Sequence, residues 1–431
     1  MGKNPERCAL FCMIWINILQ KDIDSHAGCA YNLELIYNIY TMAAATDMVA
    51  RVEEDKRVRK DEMPRQWEGN VRIPSGCAIS GIIATDGTRF NGQEIIDSIA
   101  VMHDRSNGLG GGFAGYGIYP QYKELYALHV FYESQASKEA CEQFMDRHYD
   151  IINLSRIPVR PMKQISGEPL IWRYFLRPLP TKLASSQLDE NEFMVRSVMK
   201  INTQISGAYV FSCGKNMGVF KAVGYPEDVG RYYRLEEYEG YCWTAHGRYP
   251  TNTPGWWGGA HPFGMLDYTV VHNGEISSYD ANRRFIEMFG YSCTLQTDTE
   301  VISYILDYLT RKQGMELDEV ANVIAAPFWS TISRMEDEKR ERLTYLRNAY
   351  ASLLITGPFS ILVGFSGGLM ALNDRLKLRS LVAAKKGERV YLASEECGIR
   401  VVEPDVEELW APRGGEPVIV RLKPEAMAKV V

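Results

Sequence analysis

Pro74-Ser75-Gly76-Cys77-Ala78-Ile79-Ser80-Gly81 sets one cysteine between a Pro/Ser/Gly run and the first apolar run of a long regular region. Ile82 and Ile83 extend that run and Asp86-Gly87 closes it with a turn signal, so Ala78–Ile83 is predicted as a strand. A thiol at the tip of a strand is reachable by a ligand. A lone cysteine is more often a small buried hydrophobe, so Cys77 gains weight only from polar motifs further along the chain.

At 431 residues the chain is long enough for one large domain or two. A net charge of −6 excludes a basic nucleic-acid surface, and the lack of about 18 uninterrupted apolar residues gives no membrane span. Nine cysteines with no Cys-x-x-Cys and no close, even spacing point to reduced thiols in the cytoplasm rather than a disulfide frame or a metal site.

Residues 1–76 differ from the rest. Cys8–Leu19 is a short apolar run after Lys3 and Arg7 that superficially resembles a secretory signal, but Lys21-Asp22-Ile23-Asp24 interrupts it. This segment reads as a mobile extension, as upstream sequence ahead of a start at Met63, or as a pro-segment removed before Cys77. After Cys77, helices are predicted over 92–103, 137–148, 190–204 and 297–309, with a broken helical block over 321–346. Strands are predicted over 114–119, 125–132, 244–246 and 269–272, with short alternating pieces from 351 to 393. Segments 207–212 and 217–223 read as a strand pair joined across Cys213-Gly214-Lys215-Asn216, and 156–180, rich in Pro and Arg, as an extended surface connection. Many strands and few long helices after them indicate two stacked antiparallel sheets with helices outside.

Three polar clusters carry chemistry. In Thr244-Ala245-His246-Gly247-Arg248-Tyr249-Pro250-Thr251-Asn252-Thr253-Pro254, an arginine at a strand end amid aromatics and hydroxyls suits a bidentate grip on a carboxylate. His272-Asn273-Gly274-Glu275-Ile276 is first a turn signal; it also sets an amide beside an unobstructed backbone N–H, two donors suited to an oxyanion. Gln296-Thr297-Asp298-Thr299-Glu300 is a helix-capping pattern, in which Asp298 can also face a ligand ammonium.

In this order, together with Gly357-Pro358-Phe359-Ser360 and the Asp374–Arg379 pattern, these motifs resemble those of class II glutamine amidotransferases, which are N-terminal-nucleophile hydrolases. The resemblance is closest to the amidotransferase domain of glutamate synthase, and spans Cys77 to about Arg400. It implies an α+β fold, a four-layer αββα sandwich over 77–431 behind an N-terminal extension or pro-segment at 1–76. It also implies Cys77 as nucleophile, Asn273 and the Gly274 N–H as oxyanion donors, and Arg248 on the α-carboxylate of L-glutamine. Asp298 would take the α-ammonium, with Thr251 and Tyr249 lining the pocket; the role of Arg105 stays open. No histidine motif is aimed at Cys77, so the base is expected to be its own α-amine once the Gly76–Cys77 bond is cut.

Gly110–Gly115 formally matches G-x-G-x-x-G but lacks a preceding strand and a following helix, so dinucleotide binding is discounted. Ser366-Gly367-Gly368 reads as a tight turn. No cofactor is expected in this chain; FMN and iron–sulfur clusters belong to a separate synthase subunit, with 156–188 as the docking surface. An N-terminal-cysteine acylase acting on another amide, or a non-catalytic glutamine sensor, are the alternatives.

Overall fold

The computed structural model describes residues 76–250, 255–295 and 297–430. Their centre is strand β1 (Ala78–Ala84), in which every residue is buried. A strand covered on both faces reads as a continuous apolar run, and Ala-Ile-Ser-Gly-Ile-Ile-Ala is one. It pairs antiparallel with β8 (Cys242–Gly247) and β14 (Arg389–Ala393) in the middle of a seven-stranded sheet. The remaining strands of that sheet are β2 (Gly111–Tyr116), β7 (Met217–Ala222), β13 (Val382–Lys386) and β15 (Glu408–Trp410), in the order β15-β13-β14-β1-β8-β2-β7.

A five-stranded sheet, β9 (Phe263–Met265), β10 (Tyr268–Gly274), β11 (Phe359–Phe365), β12 (Gly368–Asn373) and β16 (Val418–Arg421), lies against it. The contact is tight: a Cβ built on Gly81 of β1 would stand 3.1 Å from Leu362 of β11 and from Leu369 of β12. On β10 the pleat sends Val271 into this sandwich core and Val270 to the outer helices. Helices Gln93–Ala100, Pro226–Tyr232 and Glu396–Arg400 cover the larger sheet, and Asp298–Asp307 covers β9 and β10. The described residues therefore form the αββα layers that the resemblance implies.

Three expectations are corrected. Segment 156–180 is not a surface connection throughout, because Leu170–Pro178 is strand β5 of a third, four-stranded sheet. That sheet runs β4 (Tyr149–Arg156), β5, β3 (Tyr126–Tyr132) and β6 (Ala208–Ser212), backed by helices Gln135–His148 and Glu190–Gln204. Arg173 and Arg177 disguised β5 as polar; Arg173 lies over the Tyr119 and Phe175 rings and Arg177 pairs with Asp150. The expected pair 207–212 and 217–223 is also not a hairpin. β6 joins β3 in the third sheet, while β7 joins β2 at the edge of the large one. The outward backbone of β7 is met by side chains: Ser212 Oγ accepts from Val219 N at 3.2 Å, and His129 Nδ1 donates to Val219 O at 2.8 Å. The strand expected over 351–356 is absent: Ala351–Leu353 is a single 3-10 turn and 354–356 is irregular.

Candidate active site

The register of the central sheets brings the polar clusters together. Ala78 pairs with Gly247 across β1 and β8, which sets Cys77 beside Arg248 and Tyr249. The Tyr249 N–H donates to Cys77 Sγ at 3.3 Å. Sequence reading gave Tyr249 to the substrate; here its main chain holds the sulfur and the residue lines the cavity. Burial pushes the Cys77 thiol up, while the Tyr249 N–H and the Arg248 guanidinium pull it down. Arg105, whose role was open, donates Nε to Cys77 O at 3.1 Å and pairs with Glu395 at 2.7 Å.

The glycine run at 110–112 serves this assembly. Gly112 belongs to β2, where a Cβ would stand 2.1 Å from His261 O, and a Cβ on Gly110 would stand 3.0 Å from Arg248 Cδ. Only glycine lets the strand approach so closely. The main chain of Arg248 is clamped: its N–H donates to Gly110 O, and its carbonyl accepts from Asn107 N and Ser106 Oγ. Behind it Lys221, almost fully buried, donates to Gly258 O at 3.0 Å. Burial pushes the Lys221 ammonium down to about 7.

A cavity of about 450 Å³ opens at this point, and Cys77, Arg248, Tyr249, Gly274 and Asp298 are all on its wall, with His261, His272 and Tyr279. Asn273 is not on the wall. It is 1% exposed, next to Gly274 at the end of β10, and both of its amide atoms are buried without a hydrogen-bond partner among the described residues. Thr251 lies outside the described residues. Thr297 caps helix Asp298–Asp307 through its side chain, as its position suggested. Glu300 does not return to that cap; its carboxylate accepts from Thr294 N, Leu295 N and the Tyr304 hydroxyl instead. Asp298 Oδ2 accepts from Ile276 N at 3.0 Å and Oδ1 from Thr299 Oγ1 at 3.1 Å. Burial works against its charge, yet His272, the Ile276 N–H and Thr299 hold its carboxyl below the usual range.

Sequence reading missed the histidines. His246, His261 and His272 come from three separate segments and stack, with ring centroids 3.9 Å apart for the first pair and 6.5 Å for the second. His246 and His272 lie in the quoted motifs and His261 in Ala260-His261-Pro262 just after the first of them, but only the fold shows that the three rings stack. The arrangement offers a thiol, a cation and a carboxylate on one wall, with a backbone N–H and a buried amide at its edge. It suits nucleophilic attack on an amide whose owner carries both α-amino and α-carboxylate groups. Among the described residues no group of His, Cys, Asp and Glu is placed to hold a metal ion, and no helix is long and apolar enough to cross a membrane.

Several known proteins are similar to this chain. An uncharacterized protein of Archaeoglobus fulgidus is 50% identical over 350 residues, 80% of this chain and 92% of that protein. An amidophosphoribosyltransferase of Methanocaldococcus jannaschii is 24% identical over 198 residues, 45% of this chain and 36% of its own length. The solved structure of the glutamine phosphoribosylpyrophosphate amidotransferase of B. subtilis, complexed with ADP and GMP, aligns with 80% of this chain and 47% of its own. That alignment has a TM-score of 0.40 and 13% identity. The family model described as class-II glutamine amidotransferases matches residues 129–429, more than half of the chain and including Arg248, Asn273, Gly274 and Asp298, and the chain belongs to that family.

Proposed function

We propose that this chain is a glutaminase that hydrolyses L-glutamine to glutamate and ammonia through a thioester on Cys77. The observation that carries the reading is the meeting of Cys77, Arg248, Gly274 and Asp298, from four separate stretches of sequence, on one cavity wall. Arg248 takes the α-carboxylate and Asp298 the α-ammonium, which leaves the γ-amide to reach the sulfur held by the main chain of Tyr249; a substrate contact for Thr251 rests on the resemblance alone. Cleavage of Gly76–Cys77 frees an α-amine with a pKa near ~8, and that amine removes the thiol proton. The thiolate adds to the amide carbon, and the oxyanion forms against the Gly274 N–H and the Asn273 amide. The sealed position of Asn273 fits a contact that tightens only when substrate is bound. The C–N bond breaks, ammonia leaves with the proton held by the amine, and water activated by the same amine cleaves the thioester.

The ammonia is consumed by a separate synthase chain, as in a split glutamate synthase, and FMN and iron–sulfur clusters belong to that partner. The nine cysteines, with no Cys-x-x-Cys and no close, even spacing, favour a cytoplasmic setting. Ammonia release from glutamine by the purified protein, with the N-terminal mass measured alongside, tests the reading. Release is expected only from chains that begin at Cys77. Full activity with the leader attached, or with Cys77→Ala, refutes it. Hydrolysis of acyl amides but not of glutamine would indicate the acylase alternative.

A further inference from the structure

Both oxygens of Asp298 are held from the protein side, Oδ2 by the Ile276 N–H and Oδ1 by the Thr299 hydroxyl. Thr299 is fully buried, and its oxygen has three neighbours: Asp298 Oδ1 at 3.1 Å, His272 Nδ1 at 3.1 Å and His261 Nε2 at 3.3 Å. A hydroxyl has one proton and two lone pairs. A carboxylate only accepts, so the proton goes to Asp298, and both lone pairs must receive N–H groups. The count therefore assigns Nδ1–H to His272 and Nε2–H to His261. The column is fixed further by His246, which stacks on His261 and donates Nε2–H to His272 O at 2.9 Å. Burial keeps His246 and His261 neutral, so neither adds a competing charge beside Asp298.

We propose that Thr299, oriented by His261 and His272, determines the selectivity of this site for substrates with an α-ammonium group by fixing the position of the Asp298 carboxylate. The inference rests on the reading of Asp298 given under the proposed function. Thr299 touches no substrate; it is a positioning residue. A carboxylate held at both oxygens keeps its remaining lone pairs aimed into the cavity, where an –NH₃⁺ meets them without reorganisation. Without the hydroxyl, Oδ1 and two imidazole N–H groups lose their shared partner, and the carboxylate is free to turn toward the histidines.

The test compares glutamine with 4-carbamoylbutanoate, which has the same γ-amide and carboxylate but no α-amine. Ammonia release is measured for the wild-type protein, the near-isosteric Thr299→Val and the conservative Thr299→Ser. The ratio of kcat/KM for the two substrates is expected to fall at least tenfold in Thr299→Val, mainly through KM for glutamine, and to recover in Thr299→Ser. An unchanged ratio, or a fall shared equally by both substrates, overturns the inference while leaving the glutaminase reading intact. A wild-type protein that hydrolyses neither compound overturns both. If Thr299→Val does not fold, ¹⁵N NMR of the wild-type protein decides, since the sequence holds only seven histidines. Nδ1–H on His272 with Nε2–H on His261 is expected; the opposite tautomer at either residue refutes the proton count.

Discussion

Asn273 separates a catalytic role from a structural one because its amide is sealed from solvent and has no hydrogen-bond partner among the described residues. A buried polar group without a partner costs about 1–3 kcal/mol, and the cost disappears when an apolar group of the same shape replaces it. Asn273→Leu is near-isosteric, so the folded state should gain about 1–3 kcal/mol, read as an upward shift of the urea midpoint at pH 7. The same change removes one oxyanion donor, which lowers kcat by about 10²–10³, or roughly 3–4 kcal/mol of transition-state stabilisation. Activity and stability should thus move in opposite directions. Steady-state ammonia release and denaturation of the same preparation measure both. A variant that loses stability and activity together would show that the amide supports the fold, and a variant with unchanged kcat would remove Asn273 from the oxyanion site.

Two further outcomes are expected. Arg248→Lys replaces a planar fork with a point charge, so kcat/KM for glutamine should fall about 10–100-fold while the midpoint changes little, as a substrate titration would show. Burial pushes the Glu300 carboxyl up to about 7 from its ordinary 4.5, so its contribution to stability is whole below pH 4.5 and is lost as the pH rises through 7. Glu300→Gln should remove that loss, up to about 3 kcal/mol between the two pH values in urea midpoints; a variant whose stability falls as steeply as the wild type would contradict it.

The sandwich was legible because its strands are buried on both faces and their composition shows it, as in Ala78–Ala84. The third sheet was not. β5 places Arg173 and Arg177 among its apolar residues, and the methylene stems and planar head of Arg173 pack on aromatic rings that no local pattern reveals. The misread hairpin has the same origin. Cys213-Gly214-Lys215-Asn216 is a genuine chain reversal, but turn chemistry is local and the choice of strand partner is not. At the site, the motif residues were legible from residue type and order. The histidine column and the Lys221–Gly258 tie were hidden because their members lie far apart in sequence and become neighbours only through sheet register.

The way β7 ends its sheet has a consequence for self-association. A terminal strand normally exposes N–H and C=O groups onto which another molecule can polymerise. Here the donor and acceptor of Val219 are occupied by a hydroxyl and an imidazole from the neighbouring layer, and burial holds that imidazole uncharged, with a pKa of about 3. Among the described residues this sheet is therefore shielded at Val219 on one side, and its exposed terminal strand is the three-residue Glu408–Trp410.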